Sequence, residues 1–343
     1  MIRSFRSAVA AVAAVCFLLA PAATRAADPV PARPSHPAPA APGADQAPSS
    51  IPGKTVVEGR VVLPMDLAKG QPIVDVKLNG KGPFRMFLDT GAGTMVLDDD
   101  LAKELGLDTI DSTRLGDPRD PQAIRADVVE LDRVELGAAR FEKVRAVAWD
   151  RSTLRRGGAE VPRGVVGIGV FHDVLLTLDY PKAQVRLATG MLPESDGERV
   201  LDYRSPMGIP VIPVRLGTRT YQAHLDSGSP AGFMLPLVEK DSLTVLGALK
   251  EVGRGRSANS TMTIHAAQLA DTMRIGSHVF PQPEVQFNDA LPDANVGGRL
   301  LREFIVILDQ PNRRVRLERT GRAVTAPALP APPMPAPTPT PDR

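Results

Sequence analysis

Phe84-Arg85-Met86-Phe87-Leu88-Asp89-Thr90-Gly91 and Tyr221-Gln222-Ala223-His224-Leu225-Asp226-Ser227-Gly228 share one pattern: an apolar, strand-like run that ends in a carboxylate, a hydroxyl and a glycine. A strand ending this way presents its carboxylate on a tight turn. The hydroxyl can hydrogen-bond across to a partner loop, and the glycine lets backbone N–H groups approach the acid. Two such turns facing each other would set Asp89 and Asp226 on one water molecule.

The repeat extends well beyond the two tripeptides. Upstream, Ile73 to Gly80 pairs with Pro210 to Gly217; downstream, Leu136-Gly137-Ala138-Ala139-Arg140-Phe141 resembles Ile275-Gly276-Ser277-His278-Val279-Phe280. Val165-Val166-Gly167 parallels Asn295-Val296-Gly297, and Leu178-Asp179-Tyr180-Pro181 parallels Leu308-Asp309-Gln310-Pro311. Val185-Arg186-Leu187 and Val315-Arg316-Leu317 complete the closing segments, whose alternation and turn residues predict β-hairpins. A lone Asp-Thr-Gly is a common accident of composition. Two in register, with further matched features in the same order, predict two copies of one β-rich unit.

On these residues the chain resembles the bacterial retropepsin-like and pepsin-like aspartic peptidases, in a form with both lobes on one chain. The resemblance spans about Thr55 to Arg319. It implies an all-β, bilobed aspartic-protease β-barrel fold with an internal duplication and few short helices. It also implies a cleft between lobes 54–192 and 193–320, covered by a flap hairpin. Asp89 and Asp226 are then the catalytic pair, with Thr90, Gly91, Ala92, Ser227, Gly228 and Ser229 supporting the acid loops. Val166, Gly167, Val296 and Gly297 correspond to the family's ψ-shaped crossing beside those loops. No metal or other cofactor is implied, and the partner is a peptide or protein substrate. Fold analogy alone would not carry function; the paired acid loops do.

Outside the repeat the chain is polar or proline-rich. Arg3 and Arg6 precede an apolar stretch, Ala8 to Ala20, that is short for a membrane span, and Thr24-Arg25-Ala26 offers a cleavage site. Residues 1–26 therefore read as a secretory signal peptide, which predicts export, with the periplasm as destination. The only cysteine, Cys16, lies inside the apolar run after Val15, a poor context for lipid attachment. The mature chain would hold no thiol, which excludes cysteine-peptidase and redox chemistry. Residues 27–53 and 321–343 are rich in Pro and Ala without apolar period and read as spacers outside the fold. Net charge is +2 with acids and bases interleaved. Arg151, Arg155 and Arg156, assigned to a loop, and Arg313, Arg314 and Arg316 on a closing hairpin lack interleaved aromatics, so nucleic-acid binding is not expected. No later apolar run is long enough to cross a bilayer.

Chemically, two close carboxylates cannot both ionise; they share a proton and titrate as a pair. The ionised member can take a proton from attacking water while the protonated one bonds to the scissile carbonyl. Composition does not say which acid is which. Ala92 and Ser229 differ, and the Ser229 hydroxyl is positioned to bond its aspartate. His224 shares a strand face with Asp226, where Phe87 stands in the first unit; a backbone-bonded histidine is the plainer expectation, a charge that adjusts the dyad the sharper one. His172, His265 and His278 have no metal spacing, and neither His-Glu-x-x-His nor Gly-x-Ser-x-Gly occurs. Gly164 to Gly169 lacks dinucleotide-loop spacing and reads as the crossing strand.

Flap hairpins are expected near Ser112 to Val128, with Gly116-Asp117-Pro118-Arg119 as tip, and near Arg254 to Asn259. The first lacks the tyrosine of pepsin-like members. Trp149, with Phe141 near it, is expected in the core or the cleft wall. One helix is expected over Leu97 to Gly106, with an echo beginning at Leu235-Pro236-Leu237, and strands elsewhere. These readings predict a monomeric aspartic endopeptidase. The rival is a catalytically silent peptide-binding module on the same scaffold, suggested by the missing flap aromatic and the Arg151 to Arg163 loop. A homodimer of the retroviral type is unnecessary when the second Asp-Ser-Gly lies in the same chain.

Overall fold

A computed structural model of the 343-residue chain describes residues 49–67, 70–115, 124–151, 161–256 and 261–319. The signal-peptide stretch with Cys16, most of the first spacer, the C-terminal spacer, the flap tip at 116–119, Arg155, Arg156 and residues 257–260 lie outside them.

Three sheets build the molecule, and their burial patterns show why. Ile73–Leu78 buries four of its six residues, Ile73, Val74, Val76 and Leu78, and exposes Asp75 and Lys77 between them, which is the alternation of a strand with one face on a core. In the first lobe the strands run in the order Lys54–Val56, Ala139–Trp149, Met95–Asp98, Gly164–Gly167, Lys81–Asp89, Ile73–Leu78, Ile124–Leu136, Thr109–Leu115. Ile124–Leu136 also pairs with Ala139–Trp149, so six of these strands close into a barrel. The second lobe is a curled, open sheet of nine strands with the matching centre Glu284–Asn288, Phe233–Pro236, Ala294–Gly297, Arg219–Asp226, Val211–Leu216.

A third sheet of six antiparallel strands joins the lobes. It runs Val200–Asp202, Arg314–Arg319, Phe304–Asp309, Leu175–Asp179, Gln184–Ala188, Arg60–Pro64. The two closing hairpins meet there, with Leu175 opposite Asp309 and Asp179 opposite Ile305. Leu176, Leu178, Leu308 and Val306 are buried along that seam. Burial of four such side chains stabilises the junction by about 1.5–3 kcal/mol each. Asp179, fully buried, is held by Arg186 at 2.8 Å.

The bilobed, all-β architecture agrees with the sequence reading, and five details differ. The helix spans Asp99–Leu105, with two aspartates in its first turn and Gly106 closing it at φ 74°. Its echo, Leu237–Ser242, is a 3-10 segment with no fully buried residue; only the part-buried Leu237 rests on the core, where the first helix buries Leu101, Ala102 and Leu105. Single turns also occur at Ile168–Phe171, Tyr180–Lys182 and Pro206–Gly208, and a short helix at Gly298–Leu301, where strands alone were expected. The first spacer ends earlier than residue 53: Ser50 is fully buried, and its hydroxyl meets Thr94 Oγ1 at 2.6 Å and accepts from the Met95 N–H at 2.7 Å. Arg151 is no solvated loop residue; it is 2 % exposed and bonds Asp98 at 3.2 Å. Finally, Phe141 does not neighbour Trp149. Phe141 packs edge-on to Phe171, at 5.8 Å between centroids, inside the main core, while Trp149 belongs to a separate cluster.

Candidate active site

Asp89 ends the strand Lys81–Asp89, and Asp226 ends Arg219–Asp226. Each lies against a parallel strand that arrives later in its lobe: Asp89 is paired with Gly167, and Asp226 with Gly297. The crossing requires glycine. A Cβ on Gly167 would lie 2.6 Å from the Ala92 carbonyl oxygen, and one on Gly297 2.9 Å from the Ala231 carbonyl carbon. The next N–H in each crossing strand then bonds back to the acid loop, Ile168 to the Ala92 carbonyl at 2.8 Å and Gly298 to that of Ser229 at 2.6 Å. Val166, Gly167, Val296 and Gly297 are thus placed beside the acid loops, and all four are buried.

The two loops are locked together by reciprocal bonds. Thr90 Oγ1 donates to the Leu225 carbonyl at 2.7 Å and accepts from the Ser227 N–H at 3.0 Å. Ser227 Oγ donates to the Leu88 carbonyl at 2.8 Å and accepts from the Thr90 N–H at 3.0 Å. Both hydroxyls are spent on backbone, so neither is free to act as a nucleophile. Gly91 and Gly228 let the loops close over the acids: a Cβ on Gly91 would sit 2.6 Å from Asp226 Cγ, and one on Gly228 would collide with the Asp89 carboxyl. Gln71, a buried residue that sequence reasoning missed, donates from Nε2 to the Gly228 carbonyl and ties the first lobe to the second acid loop.

Both carboxyls are 4 % exposed and hydrogen-bonded to each other. Burial pushes Asp89 well above the usual carboxylate range, and the charge of Asp226 adds to the rise; the Gly91 N–H, at 2.8 Å from Oδ1, opposes it. Burial also raises Asp226. There the Asn295 amide at 2.7 Å, the bond from Asp89, the Ser229 N–H at 2.9 Å and the nearby His224 pull the other way. Both acids thus lie above the usual carboxylate range and titrate as a pair. The expected Ser229 hydroxyl bond to its aspartate is absent: the backbone N–H makes that contact, and Ser229 Oγ accepts from Ala231 N at 3.3 Å. His224 is half-buried with Nε2 3.8 Å from Asp293 Oδ2, and among the described residues its ring makes no backbone bond of the kind expected.

The flap regions are hairpins, Thr109–Leu115 with Ile124–Leu136 in the first lobe and Val245–Arg256 with Thr261–Leu269 in the second. Ile124 and Ala126, on the first hairpin, pack with Trp149, Phe87, Val96 and Val165 in the cluster that contains Ala92. This apolar stem anchors the hairpin beside the Asp89 loop.

Residues 74–180 match the family model described as aspartyl protease. That stretch contains the Asp89 loop, the flap hairpin and the crossing strand. Among solved structures, a retropepsin-like aspartic protease from Rickettsia conorii is similar at 16% identity over 40% of this chain and 94% of its own, with a TM-score of 0.29. No curated protein matches the chain. Among the described residues, no three His, Cys, Asp or Glu side chains gather as a metal site, and no helix is long and apolar enough to cross a membrane.

Proposed function

We propose that the protein is an aspartic endopeptidase, active as a single chain, that hydrolyses peptide bonds with water held between Asp89 and Asp226. The observation that carries the reading is the reciprocal Thr90–Ser227 brace, which holds two buried carboxyls in mutual hydrogen-bond contact. Two hydrogen-bonded acids with one proton between them suit a reaction in which water loses a proton as it attacks and the peptide nitrogen gains one as it leaves. The ionised carboxylate takes the water proton, and the O–C bond forms. The protonated carboxyl bonds the carbonyl oxygen, on which negative charge grows. Collapse of the tetrahedral intermediate breaks the C–N bond, and the amine leaves with a proton supplied by the pair. No side chain forms a covalent intermediate.

Export to the periplasm is part of the proposal and rests on Arg3, Arg6 and the apolar stretch Ala8 to Ala20. Activity as a monomer rests on the presence of both acids in one chain. The test is cleavage of a diverse peptide library by the mature protein between pH 3 and 8, beside folded Asp89→Asn and Asp226→Asn. Loss of hydrolysis in both variants is expected. Full activity in Asp226→Asn would overturn the single-chain pair. A folded wild type that binds peptides without cutting them would leave the silent module as the better account.

A further inference from the structure

The two lobes repeat each other's strand pairing around the acids, but they differ at one buried position. In the first lobe Val165 precedes the Val166–Gly167 pair, opposite Phe87. In the second lobe Asn295 stands there, opposite His224 and before Val296–Gly297. Asn295 is 7 % exposed, and its Nδ2 donates to Asp226 Oδ2 at 2.7 Å. Its Oδ1 has no partner among the described atoms. A buried amide with half of its hydrogen bonding unmet costs stability, and the first lobe fills the same slot with valine. The one bond that Asn295 makes is to Asp226.

We propose that Asn295 is a positioning residue that makes the symmetric-looking pair unequal, holding Asp226 as the ionised acid that activates water and leaving Asp89 as the proton donor to the scissile carbonyl. The inference rests on the peptidase reading for its chemical roles, but the inequality of the acids stands on geometry alone. An amide N–H favours the charged form of the carboxylate that it touches. Among the described residues no side chain donates to Asp89; it is met by the N–H of Gly91 and, more weakly, that of Gly228, and it donates to Asp226. Four other titratable or charged groups stand around the pair. His224 lies on the Asp226 strand and acts in the same direction as Asn295, with Asp293 beside it. Tyr180 is buried near both acids with its hydroxyl unpartnered among the described atoms, and Arg302 lies beyond it. Burial keeps the Tyr180 phenol protonated throughout the working range.

The catalytic step balances without any further reagent. Asp226 takes one proton from water and the hydroxyl oxygen bonds to the carbonyl carbon. Asp89 gives its proton to the carbonyl oxygen. The proton on Asp226 then goes to the amine as the C–N bond breaks, and Asp89 recovers its proton as the carbonyl re-forms.

The experiment compares wild type with Asn295→Val, the residue used by the other lobe, and with Asn295→Ala. It has two readouts: the pH profile of kcat/KM, and the carboxyl carbon signals of Asp89 and Asp226 in protein labelled at aspartate Cγ, assigned through Asp89→Asn. A bond to a charged group is worth enough to move a pKa by about one to two units. The acidic limb of kcat/KM should therefore rise by about that amount in both variants. In wild type the low-pH titration should report mainly at Asp226, and in the variants the two carbons should titrate more nearly alike. Cleavage with an unmoved acidic limb and unchanged carbon titrations would overturn the role of Asn295. Absence of cleavage in wild type, with the carbons still titrating unequally and converging in the variants, would leave the inequality standing and remove the peptidase reading.

Discussion

Replacing Thr90 with valine keeps the shape of the side chain and removes its hydroxyl. That hydroxyl makes two buried bonds to the opposite lobe, to the Leu225 carbonyl at 2.7 Å and from the Ser227 N–H at 3.0 Å. Valine cannot replace either one, and Thr90 is 1 % exposed, so water cannot step in freely. Leaving a buried donor and a buried acceptor unpaired costs about 1–3 kcal/mol each. The variant should therefore lose about 2–6 kcal/mol, a large share of the roughly 5–15 kcal/mol that holds an ordinary domain. Urea unfolding followed by tryptophan fluorescence measures it, since the single Trp149 lies in the cluster beside the Asp89 loop. Thr90→Ser is the control: it keeps the hydroxyl, loses one methyl, and should cost about 1 kcal/mol or less. A Thr90→Val midpoint within error of wild type would refute the brace as a source of stability. A serine variant as damaged as the valine one would show that the methyl, and not the bonds, carries the effect.

Other outcomes follow from the same geometry. Gly228→Ala puts a Cβ against the Asp89 carboxyl, so it should abolish turnover in a folded protein; circular dichroism beside a peptide assay checks both parts. Asp89→Asn should become progressively more stable than wild type as pH rises from 3 to 8. Burial raises the folded-state pKa of Asp89, so the protonated acid's advantage is complete below the unfolded value near 3.9 and is lost as pH rises through the folded value. A melting-temperature difference that is flat with pH would contradict this. Arg186→Ala strands the fully buried Asp179 at the junction of the lobes and should cost about 3–5 kcal/mol in urea unfolding.

The parts of the fold governed by local pattern were legible in the residues. Alternation and the turn residues Asp179-Tyr180-Pro181 and Asp309-Gln310-Pro311 marked the closing hairpins, and the aspartate-rich start with Gly106 bounded the helix. The acid loops were visible because their chemistry is compressed into three adjacent residues each. What stayed hidden depends on partners distant in sequence. Gln71 reaches a carbonyl 157 residues away, and nothing in its neighbourhood signals that. Arg151 looked like part of a solvated basic loop, yet Asp98 and a buried site claim it. Ser50 looked like the end of a spacer because one serine carries no period, and only packing against Thr94 and Met95 fixes it in the lobe. Asn295 left a trace: a polar residue where the repeat has Val165. The trace gains meaning only when the crossing strand brings that amide to Asp226. Ser229 shows the converse, since its hydroxyl suggested a bond that its backbone makes instead.

The most direct test of a complete acid pair in one chain is titration of the mature protein with a tight statine-type transition-state inhibitor, followed calorimetrically and by loss of peptide cleavage. The account predicts one inhibitor bound per chain, activity proportional to protein concentration on dilution, and no tight binding in Asp89→Asn or Asp226→Asn. One inhibitor per two chains, with activity falling faster than concentration, would mean that the site is assembled between copies. Tight binding that survives loss of either carboxyl would contradict the paired-acid site itself.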